Sequence, residues 1–342
     1  MDLTKKLTLV MNTKDRDEFL HHSLSYYSNI GFNGTIIVCD ASSQSILKKN
    51  ELFIKKIKSL RIKHLKVKKK QVSSIFESLD LIDTDYVGVA TDDDLYTYDG
   101  LNLCLEKLEI NKQVKSAWGQ IAKITIKGNS PTFFKNISRY QFYNLNIYNS
   151  LLKMPPSERY LLYMKKPYDF VWAIRRRDDF KSIFKLANQF NSERWASFVY
   201  NSYCAIYQPP SLINEIFLIR QNHSKRDMNR ERTDFLSFLE EKDFNINLHR
   251  FRNKMADLLA EKEKNKYKNS KSIIDSGISY YFSDKLIIIN NRLRNKFKNE
   301  NNLYLIAKRI INKLRRIIDK LINYKLYKKL YKNIIYISRN FP

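Results

Sequence analysis

YVGVATDDDLY, running from Tyr86 to Tyr96, decides the fold. Tyr86 to Ala90 is an apolar run rich in β-formers, bounded by polar residues and too short for a helix, so it reads as a buried strand. It ends in three consecutive carboxylates, Asp92, Asp93 and Asp94, and a helix begins near Asp99. Adjacent acids at the end of a buried strand repel one another and lose hydration, and a hard divalent cation relieves both costs. Mg²⁺ commonly shares such a site with substrate phosphates. One reading is therefore a metal–diphosphate site. The other is an acidic loop whose last Asp caps the next helix.

Upstream, strand and helix patterns alternate. Leu7 to Met11 is an apolar strand, followed by the polar turn Asn12-Thr13-Lys14-Asp15-Arg16 and a helix over about 17–29 that Gly31 stops. Thr35 to Cys39 forms a second strand ending at Asp40-Ala41-Ser42-Ser43. A helix near 45–60, a short strand at 62–67 and a helix at 72–82 lead to the acidic strand. Such alternation predicts an α/β fold with a mostly parallel central sheet flanked by helices. Ligands of open sheets bind beyond the carboxyl ends of the strands. Thr13, Asp40 and Asp92 to Asp94 all lie at such ends.

The chain has 342 residues, 43% of them hydrophobic, enough for one large or two modest cores. Its net charge of +27 favours anionic partners, and abundant Asn, Ile and Lys throughout weaken that argument. Cys39, Cys104 and Cys204 have neither paired nor metal-type spacing, which suits reduced thiols in a cytosolic setting. The start MDLTKKLTLVMN has no signal-peptide pattern, and no stretch is long and apolar enough to predict a spanning helix.

NTKDR, CDASS and ATDDDLYTYDGL, in this order and strand context over roughly residues 7–125, resemble the three loops of a GT-A glycosyltransferase of the family 2 type. The match is nearest a bacterial branch reading Ala-Thr-Asp-Asp-Asp at this place. The resemblance implies a nucleotide-sugar donor, a divalent metal (Mn²⁺ or Mg²⁺) and a glycan or lipid-linked acceptor in surface polysaccharide synthesis. It places Thr13, Asp15 and Arg16 against the nucleotide and Asp40 at the base or ribose. Asp93 and Asp94 fall on the last two acids of the metal motif, Asp92 on its variable position and Thr91 on its first acid. The literal Asp92-x-Asp94 pattern is an alternative metal pair. Lys14 replaces an aromatic residue, and the family's Asn-Gly…Ala-Arg-Asn segment is absent near residue 70, where Lys68, Lys69 and Lys70 stand instead.

Downstream, SAWGQIAKITIK alternates like a strand, with Trp118 and Gly119 where this fold shapes the sugar pocket. Phe133, Phe134, Tyr140, Phe142, Tyr143 and Tyr148 offer either core or an acceptor surface. A strand is expected from Phe170 to Ile174 and a helix from about Asp178. Ser192 reads as an N-cap with Glu193 in the first turn, where inverting members of the resembled family carry the general base; Asp169 and Asp179 are substitutes. Arg220 and His223 follow a last strand, as residues that clamp diphosphate or complete the metal shell.

The GT-A part is expected over 1–226 and a basic helical part over 227–342. Within the latter, LYLIAKRIINKLRRIIDKLI, beginning at Leu303 and ending at Ile322, spaces its apolar residues as an amphipathic helix. From Lys285 to Pro342 there are sixteen Lys/Arg against Glu300 and Asp319. Such a helix suits an anionic membrane surface on the cytoplasmic side or docking on the core. The rival function is a nucleic-acid-binding protein driven by this tail. That leaves the acidic triplet unexplained, so nucleic acid is not expected as a partner.

Overall fold

The structure is a computed structural model and describes residues 2–68, 72–126, 137–142, 151–190, 192–223, 235–264 and 267–297. The expected helix at 303–322 lies outside these residues, as do Lys69, Lys70, Phe133, Phe134, Tyr143, Tyr148 and residues 224–226.

Three strands carry unbroken apolar runs and become the centre of the sheet: β1 (Leu7–Thr13), β2 (Thr35–Asp40) and β4 (Tyr86–Thr91). Burial on both faces is what such runs require. β3 (Arg61–Lys66) interleaves Arg, Lys and His with apolar residues and forms an edge, where charge blocks further pairing. β5 (Leu95–Tyr96), β6 (Ser116–Ile126), β7 (Ile137–Phe142), β8 (Ile174–Arg176) and β9 (Pro210–Asn222) complete the sheet. The order is β3-β2-β1-β4-β8-β6-β9-β5, with β7 paired to β6. β1 to β4, β6 and β9 run one way; β5, β7 and β8 run the other.

The helices are α1 (Asp17–Asn29), α2 (Gln44–Lys56), α3 (Val72–Ser78), α4 (Tyr98–Ile110), α5 (Pro156–Lys165), α6 (Arg177–Ala187), α7 (Glu193–Tyr207), α8 (Phe235–Leu239), α9 (Phe244–Glu263) and α10 (Tyr267–Phe297). α1 opens with Asp17 and Glu18, which suit its dipole, and Gly31 (φ 70) turns the chain out of it. α9 and α10 share an aromatic core with α7: Trp195 packs on Phe244 and Phe251, and Phe198 on Tyr281. The three cysteines are free and buried. No helix among the described residues is long and apolar enough to cross a membrane.

Two expectations change. The strand expected from Phe170 to Ile174 is a 3-10 turn, Phe170–Trp172, followed by the short β8. Asp169 caps that turn through Val171 N–H, and the Arg175 guanidinium hooks back onto the carbonyls of Phe170 and Ala173, 2.8 Å each. These bonds hold the backbone out of the ladder. Second, the acidic triplet does not cap α4. β5 intervenes, and the Thr97 hydroxyl accepts from Gly100 N–H instead. The capping reading of the triplet therefore fails.

Candidate active site

The register brings the polar strand ends together: Thr13 lies beside Asp40, and Asn12 beside Thr91. β5 then runs back against β9, Leu95 opposite Ile219, which delivers the end of β9 to the same place. Asp92, Asp93 and Asp94 are all buried here, as are Arg220 and His223.

Each acid takes different partners. Asp92 receives the Arg16 guanidinium through Nε (3.0 Å) and Nη2, and the Thr13 hydroxyl at 2.8 Å. Its backbone carbonyl accepts from Ser23 of α1 at 2.6 Å. Asp94 turns to β9, accepting from Arg220 Nε at 3.0 Å and Gln221 N–H at 2.9 Å. Asp93 Oδ2 lies 3.1 Å from His223 Nε2 and 3.2 Å from Arg16 Nη1. Three adjacent carboxylates persist in a buried place because two guanidinium groups and an imidazole face them. Aromatic rings hold these groups: Arg220 lies over Trp172 at 4.8 Å, while Phe19 stacks on His223 at 4.5 Å and carries Arg16 at 5.2 Å.

Asp15 directs Arg16 into this cluster. It is left-handed (φ 52), a conformation Asp tolerates better than most residues. Its N–H donates to Ser42 Oγ at 2.8 Å and its carboxylate accepts from Ser43 N–H at 2.7 Å, so the loops after β1 and β2 are latched together. Behind them sits Asp40, accepting from Ser42 N–H and Asn50 Nδ2, with His64 Nε2 at 3.1 Å. Burial alone would push its carboxyl up. The hydrogen bonds from His64, Ser42 and Asn50 outweigh it and hold the group below the ordinary aspartate range.

Glu193, the expected base, accepts from Val72 N–H at 3.0 Å and Ser73 Oγ at 3.3 Å, capping the start of α3. The next residue of α3, Ser74, donates to Asn12 at 2.7 Å, so Glu193 stands at the same sheet edge. Its neighbour Arg194 turns toward Glu241 at 3.7 Å. Asp179 is removed from contention: Arg177 N–H bonds the carbonyl of Asp85 and Arg176 pairs with Tyr86, at the amino end of β4. That edge is opposite the site. There burial pushes the Asp179 carboxyl up against the pull of Lys115. Asp169, by contrast, precedes Trp172 on the site's side. Lys68 is exposed. Trp118 is core, packed on Tyr168 and Phe170, and Gly119 is required where β6 meets β9, since a Cβ there lies 2.5 Å from Phe217.

Sequence reasoning missed the supports: Ser23, the Tyr26 hydroxyl on the Tyr96 carbonyl (2.8 Å), the Tyr27 hydroxyl accepting from Tyr96 N–H (3.2 Å), and Trp172. On α1 the two tyrosines and Phe19 look like any buried helix face. No local signal separates them from it.

The Asp93 carboxylate and His223 imidazole, 3.1 Å apart, are a donor pair that suits Mn²⁺ better than Mg²⁺, which takes oxygen ligands. Among the described residues no group of three or more His, Cys, Asp and Glu is arranged to hold a metal. Two protein ligands are consistent with that, because diphosphate oxygens and water supply the remainder in such sites. Of the expected metal residues Asp93 and His223 meet, while Asp94 is committed to β9.

Among solved structures, the chain resembles S. aureus TarS 1–349 in complex with UDP-GlcNAc, with a TM-score of 0.50 at 11% identity over 81% of this chain and 72% of that one. The chain has a GT-A-like α/β fold. The mannosyltransferase PcManGT from Pyrobaculum calidifontis in complex with GDP-Man and Mn²⁺ aligns over 98% of this chain and 85% of that one, at 11% identity and a TM-score of 0.45. No family model matches the sequence, and no curated protein matches it.

Proposed function

We propose that this chain is a glycosyltransferase moving a sugar from a nucleotide-sugar donor to a glycan or lipid-linked acceptor, with inversion. The observation that carries the reading is the convergence of Arg16, Arg220 and His223 on three buried acids at the carboxyl edge of the sheet. The TarS structure, whose fold this chain shares, holds UDP-GlcNAc. In this reading the loops of Thr13, Asp15 and Asp40 receive the nucleoside, Asp40 serving the base or ribose side. Arg16 and Arg220 bond the diphosphate, whose charge their donors match. Asp92 and Asp94 hold those arginines in place from below.

Asp93 and His223 would hold the divalent ion, which would supply positive charge to the leaving diphosphate. Glu193 takes the proton of the acceptor hydroxyl as that oxygen bonds the anomeric carbon and the glycosidic bond to diphosphate breaks. The Val72 N–H and Ser73 hydroxyl orient its carboxylate for the task. The catalytic part is residues 1–226. The basic part, 227–342, would keep the enzyme on the cytoplasmic face of a membrane, where a lipid-linked acceptor for polysaccharide synthesis would lie.

The test is release of free nucleoside diphosphate from UDP-, GDP- and CDP-sugars, with Mn²⁺, by wild type, Asp93→Asn and Glu193→Gln. One donor is consumed by wild type and Asp93→Asn falls by at least about a hundredfold, the scale of lost preorganised charge. Glu193→Gln lowers kcat and leaves KM for the donor within a few-fold. No consumption of any donor, with cell-wall or lipid-linked acceptors supplied, rejects the reading.

A further inference from the structure

Asp93 Oδ2 faces two groups at once, His223 Nε2 at 3.1 Å and Arg16 Nη1 at 3.2 Å. The other two nitrogens of the same guanidinium, Nε and Nη2, are bound to Asp92, whose carboxylate is completely buried. Arg16 is thus anchored by one acid and reaches across to the next. It bonds the Asp93 oxygen that faces His223, and its positive charge opposes any ion approaching there. A divalent cation alone therefore meets a guanidinium already bonded to Asp93.

A nucleoside diphosphate changes this balance. Its oxygens are more highly charged acceptors than a single carboxylate oxygen, and Arg16 Nη1 turns from Asp93 to them. Asp93 Oδ2 then loses its Arg16 contact, so a cation, which the diphosphate itself also attracts, would meet less positive charge there. Phe19 fits this exchange, because its ring touches both His223 and the Arg16 guanidinium and keeps the two on one shelf. We propose that Arg16 is a built-in competitor for the metal position, displaced by the diphosphate, so that diphosphate and divalent cation bind with positive coupling set by this residue. The proposal rests on the diphosphate reading of the site given above.

The experiment measures Mn²⁺ affinity of the full chain by electron paramagnetic resonance, without nucleotide and with saturating UDP, GDP or CDP. For wild type the bound nucleotide raises Mn²⁺ affinity at least tenfold beyond Mn²⁺ binding to the nucleotide in solution. By linkage Mn²⁺ raises nucleotide affinity by the same factor. Arg16→Gln binds Mn²⁺ alone at least tenfold more tightly than wild type, and its coupling falls to within threefold. Arg16→Lys, which cannot span both acids, lies between and serves where the glutamine variant fails to fold. If both ligands bind wild type but neither variant changes metal affinity or coupling, the competitor proposal is wrong and the diphosphate reading stands. If neither Mn²⁺ nor any of the nucleotides binds wild type, both are wrong.

Discussion

Replacing Arg220 by Met tests whether the acids are held apart by buried guanidinium groups. The change keeps length and an apolar stem against Trp172 but removes the donor that faces Asp94 Oδ2 at 3.0 Å. Asp94 is 1% exposed, so its charge would remain buried with the Gln221 N–H as its backbone donor. Removing one partner of a buried pair costs about 3–5 kcal/mol, against a total stability of roughly 5–15 kcal/mol for a domain. With a urea slope near 3 kcal/mol/M, a loss of about 4 kcal/mol moves the unfolding midpoint down by roughly 1.3 M. The double variant Asp94→Asn/Arg220→Met removes the stranded charge and should recover about 2 kcal/mol of that loss, the difference measuring the coupling. Urea unfolding followed by far-UV circular dichroism reads all four corners of the cycle. A midpoint shift below about 0.3 M for Arg220→Met, close to 1 kcal/mol at that slope, contradicts the reasoning. So does a double variant as unstable as the single one.

Asp40 has a folded-state pKa held below its unfolded value, so its contribution is complete above about pH 4 and is lost as pH falls through the lower folded value. Asp40→Asn should be less stable at neutral pH and the difference from wild type should shrink on acidification; a constant difference from pH 7 to 2 contradicts this. Gly119→Ala would place a Cβ 2.5 Å from Phe217 Cβ and 2.7 Å from the Glu215 carbonyl, and should cost about 1–3 kcal/mol. Gly88→Ala meets chiefly the Ile174 Cδ1, the movable end of a side chain, and should cost less when thermal melts of the two variants are compared. The reverse order would mean that the β6–β9 approach is looser than described.

The sheet's centre was legible because β1, β2 and β4 are buried on both faces and announce it as apolar runs. β5 and β8, two and three residues long, carry no periodicity and exist only through their neighbours. That loss had a consequence for the site. The direction of β8 decides that Asp169 lies on the site's side and Asp179 on the other, and nothing local in DFVWAIRRRDD sets that direction. That these residues come together was largely readable, since Thr13 and Asp40 end strands, the acids follow β4, and Arg220 and His223 stand at the end of β9. The site's wiring was not: Arg220 and Asp94 are 126 residues apart, and only the β5–β9 pairing brings them together. Thr97, standing just before α4, was a readable cap overlooked beside the more conspicuous acids.

The most direct measurement of the central claim is a crystal structure with Mn²⁺ and the nucleoside diphosphate that binds, with anomalous data collected at the manganese edge. One anomalous peak is expected within bonding distance of Asp93 and His223, with the diphosphate against Arg16 and Arg220 and the nucleoside toward the Thr13–Asp40 loops. Nucleotide bound elsewhere, or manganese away from Asp93 and His223, would contradict it.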